Sequence, residues 1–430
     1  MNIIEQAREF VQSLRDLAHR TAWDWRVCPA CGSKKTVKWG KYERHPWLLE
    51  GQQEVKVQRH RCQRCGKTYA EESPWLIRGS WYAREVHRCA IDHWLHGRTS
   101  IRRCAEMMRS WLGKQERYVY WRPLSCEPEA EAMCHLSAST VCRWLNSAGI
   151  VAERRVCGQL DGIVATEVLG ADGLWTRLKG KAKRVVLMAV DSVSGVIWPP
   201  VVARGEESES PWQRLFERVR QAGLDLDRLR GVTSDGAPGL GAYLKHQLPW
   251  VHQQRCVWHM WRSLSGDIAR AVSQVAHGVP DTAEADQVRR EARQQLKVLI
   301  HQVLDAATYE QAEQALLRLI ELPWAEKIAK TLFEYLDRLL LHTLSYCQGI
   351  QRVSPECYWR DFRLRLSHGR NHRPERRLER ACLVWAIYHN FTPTQPRFEH
   401  KRRYRNPGLA PLEVAGQSLE DISYLDALGV

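Results

Sequence analysis

Four carboxylates stand out for their types and spacing. Asp172 sits inside a β-favouring run, ADGLW, and Asp235 ends another, GVTSD, where a turn opens. Glu375 and Glu379 fall near the start of a late helical stretch, four residues apart and so on one helical face. A strand acid, a strand-end acid and a helix acid, far apart in sequence, are what a two-metal phosphodiester-cleaving centre requires. Hard Mg2+ (or Mn2+) ions take carboxylate oxygens and keep water, and two of them clamp the attacking and leaving oxygens of an in-line displacement. Without a cation, clustered carboxylates repel one another and tend to protonate. An Asp-Gly pair on its own is most often a turn. Asp161, in QLDGIV, is a rival first acid that precedes the β-rich region, and Asp191, in AVDSVSG, reads as a structural residue at a Ser-Gly turn.

Cysteine spacing points to a second centre. Cys28 and Cys31 in CPACG return as Cys62 and Cys65 in CQRCG, two CxxC knuckles each followed by glycine. Such knuckles wrap a tetrahedral Zn2+, because thiolates favour zinc and glycine permits the tight turns around it. The interval VKWGKYERHPWLLEGQQEVKVQRHRC reads as two or three short strands, so a structural zinc ribbon is expected over 27–75. Redox dithiols or separately buried thiols are the competing reading, and one ribbon accounts for both pairs at once. Further on, Cys256 and His259 in CVWH share one helical face at three-residue spacing. Packing and hydrogen bonding that brace the acidic centre are the expected role, with zinc ligation through distant partners the alternative.

The elements that must carry these groups follow from periodicity. An amphipathic helix is expected over 1–26, and two helices over WYAREVHRCAIDHWLHGRTSIRRCAEMM, broken at Gly97 with Thr99 or Ser100 as N-cap. A third, LSASTVCRWLNSAG, begins with small polar residues, sets Val141, Trp144 and Leu145 on one face and stops at Gly149. That pattern fits the recognition half of a helix-turn-helix over 80–157, with Ser139, Thr140 and Arg143 placed to meet DNA. A plain helical bundle has the same periodicity. Next come β-branched runs, IVATEVLGADGLWTRL and RVVLMAVDSVSGVIWPPVVA, with turns at Gly170, Lys179–Lys183 and Ser194-Gly195, expected to form a three-stranded antiparallel meander. A helix, SPWQRLFERVRQAG, leads to the strand LRGVTSD, after which GLGAYL opens another helix. The sheet is then interrupted by an almost wholly helical stretch, 263–350, before a basic approach and one more helix ending near His389-Asn390.

With 430 residues the chain suits several domains, and its formal net charge of +15 favours a polyanionic partner. The cations cluster, in RHRCQRCGK, RGSWYAREVHR and FEHKRRYR, among tryptophans and tyrosines, which favours phosphate binding. Arg370, Arg373, Arg376 and Arg377, beside the helix glutamates, are placed to neutralise DNA phosphates, a solvated helix face being the plainer reading. Trp258, Trp261 and a few basic-flanked tryptophans are candidates for stacking on unpaired bases, most of the 19 being core. No segment has about 18 uninterrupted apolar residues and the N-terminus does not read as a signal peptide, so a soluble protein with reduced thiols and no membrane partner is expected.

SDGAPGL followed by CVWH, with an earlier DGLW strand and a long helical interruption before a final acidic helix, resembles the RNase H-like core of DDE transposases, particularly the Mutator-type insertion-sequence group, over roughly Gly158 to Ala415. The resemblance implies an α/β multidomain fold: zinc ribbon, helix-turn-helix, and an RNase H-like mixed sheet in two parts, 158–262 and 351–412, split by the helical insertion, with a tail over 413–430. It implies that Asp172 and Asp235 are the first two catalytic acids and that Cys256 and His259 are the group's Cys-x-x-His pair. The third acid falls to Glu375, shortly after Asn371, with Glu379 a turn later as runner-up. The implied activity is metal-dependent cleavage and strand transfer on double-stranded DNA, at element ends and target, by a homodimer or higher oligomer in a prokaryotic cytoplasm, associated with the nucleoid. Two other classes stay open from sequence: a zinc-dependent DNA-binding regulator without catalysis, and a structure-directed nuclease or resolvase.

Overall fold

The computed structural model describes residues 25–71, 73, 75–97, 99–112, 134, 136–156, 167–178, 183–204, 208–277, 279, 283–347, 349–353, 358–359, 362–363, 365, 374–393, 408–420 and 422–430. The expected N-terminal helix, Asp161, Arg370, Asn371 and Arg373 lie outside the described residues.

The cysteine region is β-structured. Strands β1 (Thr36–Arg44), β4 (Val55–Cys62) and β5 (Thr68–Ala70) form an antiparallel sheet in the order β1-β4-β5, while β2 (Trp47–Leu48) and β3 (Gly51–Gln52) make a separate hairpin. Main-chain bonds from Trp47 N–H to Trp81 O and from Ala83 N–H to Trp47 O, each 2.8 Å, tie that hairpin to the helices that follow.

Helices α1 (Arg84–His96) and α2 (Ile101–Leu112) break at Gly97, and the Ser100 hydroxyl accepts from Arg103 N–H at 3.1 Å as the N-cap of α2. Helix α3 (Ala138–Val156) buries Val141, Trp144 and Leu145 as expected, yet it does not stop at Gly149. There α3 meets a later helix, α11 (Glu375–Phe391), so closely that any Cβ on Gly149 would overlap Arg380. The glycine serves helix–helix approach within the chain of a long helix rather than termination.

Strands β6 (Val168–Arg177), β7 (Lys183–Asp191) and β8 (Val201–Arg204) form the expected antiparallel meander. Gly170 lies inside β6 and makes no turn; β6 runs through it because both faces there are covered. On the other side of β6, β9 (Gly231–Ser234) and β10 (His252–Arg255) add in parallel, giving the five-stranded order β10-β9-β6-β7-β8. Helices α4 (Glu209–Gln221) and α5 (Pro238–Gln247) cover one face, where Trp212, Phe216 and Leu240 meet Leu169, Val185 and Leu187. The opposite face, with Leu174, Val186, Met188 and Val202, packs on α11 and through it on α1–α3 in one continuous apolar cluster. Helices α1–α3 therefore share a core with the sheet, and each fully buried tryptophan such as Trp385 contributes about 2–3 kcal/mol to it.

A second all-helical core comprises α6 (Val257–Ser263), α7 (Ser265–Val275), α8 (Ala283–Leu304), α9 (Tyr309–Ile320) and α10 (Glu326–Leu339). It departs from the end of β10 and is joined to it by the buried Gln254, whose Nε2 donates to Leu339 O (2.7 Å) and whose Oε1 accepts from His342 N–H (3.0 Å). Strand β10, HQQR, carries no apolar alternation, so periodicity alone passes over it. The tail clasps both faces: Leu412 in α12 (Pro411–Val414) joins the α4–α5 side, and Leu428, just past α13 (Tyr424–Ala427), joins the α11 side. Arg88 of α1 donates to Asp426 Oδ1 at 2.9 Å and to Val430 O at 2.8 Å.

Candidate functional site

Parallel pairing of β6 with β9 matches Val168 with Gly231, Leu169 with Val232 and Gly170 with Thr233. Asp172 stands two residues past Gly170 within β6, and Asp235 two residues past Thr233, in the bend that follows β9. Alternation along β6 puts Asp172 on the face of Leu174, which is the α11 side. Asp172 is 2% exposed and its Oδ1 accepts from Gly173 N–H at 2.9 Å. Asp235 is half-buried, and its Oδ1 accepts from Ala237 N–H at 2.9 Å as the chain turns into α5. Two carboxylates so placed, one of them excluded from water, repel unless a cation joins them, and their hard oxygen donors suit Mg2+ or Mn2+.

The neighbouring residues hold this corner. Gly236 adopts φ +85°, and a Cβ on it would overlap the guanidinium of Arg255, which crosses it and lies 5.0 Å over the Tyr335 ring. Thr233 Oγ1 donates to Gln351 O at 2.6 Å and Val257 N–H donates to Arg352 O at 3.0 Å, so the chain returning from the helical block runs beside the ends of β9 and β10. Cys256 is fully buried, extends the β9–β10 ladder through its N–H to Ser234 O (2.7 Å) and caps α6. His259 is half-buried one turn into α6, with the exposed Trp258 edge-on to it. Arg262 lies over Trp258, whereas Trp261 packs into the helical block against His301.

The two glutamates are held by arginines of β7, β8 and α4. Glu375 accepts from Arg184 of β7 at 3.0 Å and from Arg204 of β8 at 2.9 Å. Burial raises its pKa, but Arg204 and Arg184 outweigh that and hold the carboxyl below its ordinary range. Glu379 is paired with Arg218 of α4 and accepts from Val202 N–H at 3.2 Å on the outer edge of β8. Strand β7 separates these carboxylates from β6, and Arg184 pairs with Thr176, four residues along β6 from Asp172. Helical spacing put the two glutamates on one face, and the arginines of β7, β8 and α4 decide what that face meets. Asp191 is structural, its Oδ1 accepting from Val193 N–H (3.1 Å) and the Ser194 hydroxyl (2.6 Å) in the Ser194-Gly195 turn.

The four cysteines converge. Their sulfurs lie within 4.8 Å of one another, with Cys28–Cys65 and Cys31–Cys62 both at 3.6 Å. A ZnS4 tetrahedron with Zn–S bonds of about 2.3 Å has S–S edges of about 3.8 Å, so the cage has zinc dimensions. The knuckles are built alike: Gly32 and Gly66, at φ 67° and 73°, donate their N–H to Cys28 O and Cys62 O, each at 2.9 Å. Backbone donors, that of Cys65 first, bring the Cys62 thiol down to about 6. The Ser33 N–H favours a Cys31 thiolate, but burial and the neighbouring sulfurs push that thiol up to about 12. A dication is what lets all four ionise together. Among the described residues this is the one cluster of three or more metal-capable side chains, and Cys256 and His259 belong to none.

At the start of α3, Ser137 is the cap, its Oγ accepting from Thr140 N–H at 3.2 Å. Ser139 and Arg143 are exposed, and Arg143 donates to Thr140 Oγ1 at 3.1 Å. Arg376 and Arg377 are exposed at the start of α11, with Arg376 only 3.9 Å from Glu153. Among the described residues no helix is long and apolar enough to cross a membrane.

The domain is α/β, a mixed five-stranded sheet with a helical block following its edge strand β10. Residues 200–354 match the model of the Mutator family of transposases, and the chain carries a Mutator-type transposase domain. The matched stretch runs from the end of the meander through Asp235, Cys256, His259 and the helical block. Asp172, the glutamates and the four cysteines lie outside it. No curated protein matches the chain.

Proposed function

We propose that the protein is a DNA transposase that cleaves and joins strands at a carboxylate–metal centre on Asp172 and Asp235, and holds the ends of its element through the zinc ribbon and α1–α3. The observation that carries this reading is the parallel pairing of β6 with β9, with Asp172 and Asp235 each two residues beyond the matched Gly170 and Thr233. The sheet order, an antiparallel meander extended by two parallel strands, supports an RNase H-like core. The Mutator-family match supports DNA as the partner and strand processing as the chemistry.

Divalent ions held by these carboxylates supply Lewis acidity to the phosphodiester and to the attacking oxygen. The protein's own part is positional. Gly173 and Ala237 N–H groups fix one oxygen of each aspartate, leaving the carboxylates oriented before substrate arrives. Arg255 keeps positive charge beside the turn. Ser139, Thr140 and Arg143 face DNA from α3, and Arg376 and Arg377 neutralise phosphates beside the core, with Arg370 and Arg373 of the adjoining segment assigned the same role. Cys256 and His259 brace the β9–β10 corner. Handling two element ends together requires at least a dimer on DNA, by analogy with the class.

Incubation with element-end duplex and Mg2+ tests the reading. Strand cleavage by the zinc-loaded protein should fall by more than about a thousandfold in Asp235→Asn, a loss of transition-state stabilisation of about 4 kcal/mol. Unimpaired cleavage by that variant would sink the assignment.

A further inference from the structure

The zinc ribbon has two unlike faces. On one, His60 is 1% exposed and stacks between Trp25 (4.7 Å) and Tyr69 (5.7 Å). On the other, register and alternation gather Val37, Trp39, Tyr42, Arg59 and Arg61: Arg61 pairs with Val37, Tyr42 with Val57, and Trp39 falls with Gly40 in the irregularity between Lys38 and Lys41, opposite Arg59. Among the described residues Trp39 is 48% and Tyr42 39% exposed on this face, Val57 beside Tyr42 is buried, and Arg61 lies 4.6 Å over the Trp39 ring. Exposing large aromatics on a small metal-built sheet forgoes burial the ribbon could use, so the face calls for an occupant.

Charge names its chemistry. Between Trp25 and Glu71 the chain carries eleven lysines and arginines against four glutamates. Aromatic rings interleaved with arginines on a cationic sheet are the features of a base-stacking platform, where rings take the faces of unpaired bases and guanidinium groups track phosphates. A duplex offers no free base faces on which these rings could stack.

We propose that the Val37–Trp39–Tyr42–Arg59–Arg61 face of the ribbon binds single-stranded DNA, stacking unpaired bases on Trp39 and Tyr42. The site is distinct from the aspartates, and its function does not require that they cut DNA.

Fluorescence anisotropy with a labelled oligothymidylate and, separately, a blunt duplex of similar length tests it on the full zinc-loaded chain. Trp39→Ala should weaken oligothymidylate binding by about 5- to 150-fold while leaving duplex binding within about twofold. Trp39→Phe, which keeps a ring, should stay within about threefold of the parent, with zinc content unchanged in both variants. Three outcomes overturn the proposal: Trp39→Ala binding the single strand like the parent, Trp39→Phe as weak as Trp39→Ala, or equal loss for strand and duplex. A change in self-association with single-strand binding intact makes the face a contact between copies instead, and likewise overturns it.

Discussion

Asp172 and Asp235 each stand two residues past the matched Gly170–Thr233 pair of adjacent parallel strands, although 62 residues of meander, helix and turn separate them in the chain. Carboxylates that share one cation destabilise the metal-free fold by mutual repulsion and gain most from a dication. Removing one charge should therefore raise stability without metal and abolish the metal's effect. We predict that Asp172→Asn melts higher than the parent in chelator, and that Mn2+ raises the melting temperature of the parent alone. An undiminished Mn2+ shift in both Asp172→Asn and Asp235→Asn would remove the pair as a cation site.

Gly236 lies under the Arg255 guanidinium with φ +85°. Gly236→Ala should cost about 1–2 kcal/mol for the left-handed backbone alone, with more from displacing Arg255. Denaturant unfolding reads the stability loss, and cleavage assays should show a larger defect than the stability change explains. A neutral variant would mean that the turn relaxes freely.

Glu375 and Glu379 are held by arginines on β7, β8 and α4. Glu379→Gln should lower stability, by up to about 3 kcal/mol, because Arg218 loses its partner in a largely buried setting. Cleavage per folded molecule should survive in Glu375→Gln and Glu379→Gln. Loss of turnover at full stability in either would restore that glutamate as third acid. Glu356, the acid that most closely follows Arg352 in the sequence, lies outside the described residues and is the substitution to compare.

Gln254 is fully buried and bridges β10 to the helical block through Leu339 O and His342 N–H. Gln254→Ala leaves two buried backbone groups unmatched, a cost of about 2–5 kcal/mol. Hydrogen exchange should report faster opening at β10 and the end of α10, and little change in the ribbon.

His87, 7% exposed, stacks on Trp144 at 3.7 Å and hydrogen bonds to the Ser80 hydroxyl at 2.9 Å. Burial, assisted by Arg84, lowers its pKa from 6.5 to about 3. A histidine kept neutral in the fold contributes stability that is complete above pH 6.5 and is lost as pH falls from there toward 3. The expected slope in that window is about 1.4 kcal/mol per pH unit. His87→Asn should flatten that slope in unfolding measured at pH 7, 6 and 5. An unchanged slope would place the acid sensitivity in other groups.

The sequence determined what local chemistry can determine. CxxC spacing with a following glycine sets two sulfurs per knuckle in place whatever surrounds them, and Ser100 and Gly97 punctuate α1 and α2 by capping and backbone preference alone. The run GVTSDG announced a strand ending in an acid at a turn. Only tertiary structure decided which acids meet. The β6–β9 register matches Gly170 with Thr233, two residues before Asp172 and Asp235, because the meander's apolar alternation must match two helical layers at once. The same packing turns α11 so that Glu375 and Glu379 face Arg184, Arg204 and Arg218. Glycines 149 and 170 read as stops, yet one admits a neighbouring helix and the other lies within a covered strand, because a missing Cβ means the same thing locally in each case. Strand β10 was invisible for the complementary reason: HQQR has no apolar period, and its place at the sheet edge is set by a parallel partner and by one buried glutamine reaching a helix 85 residues away.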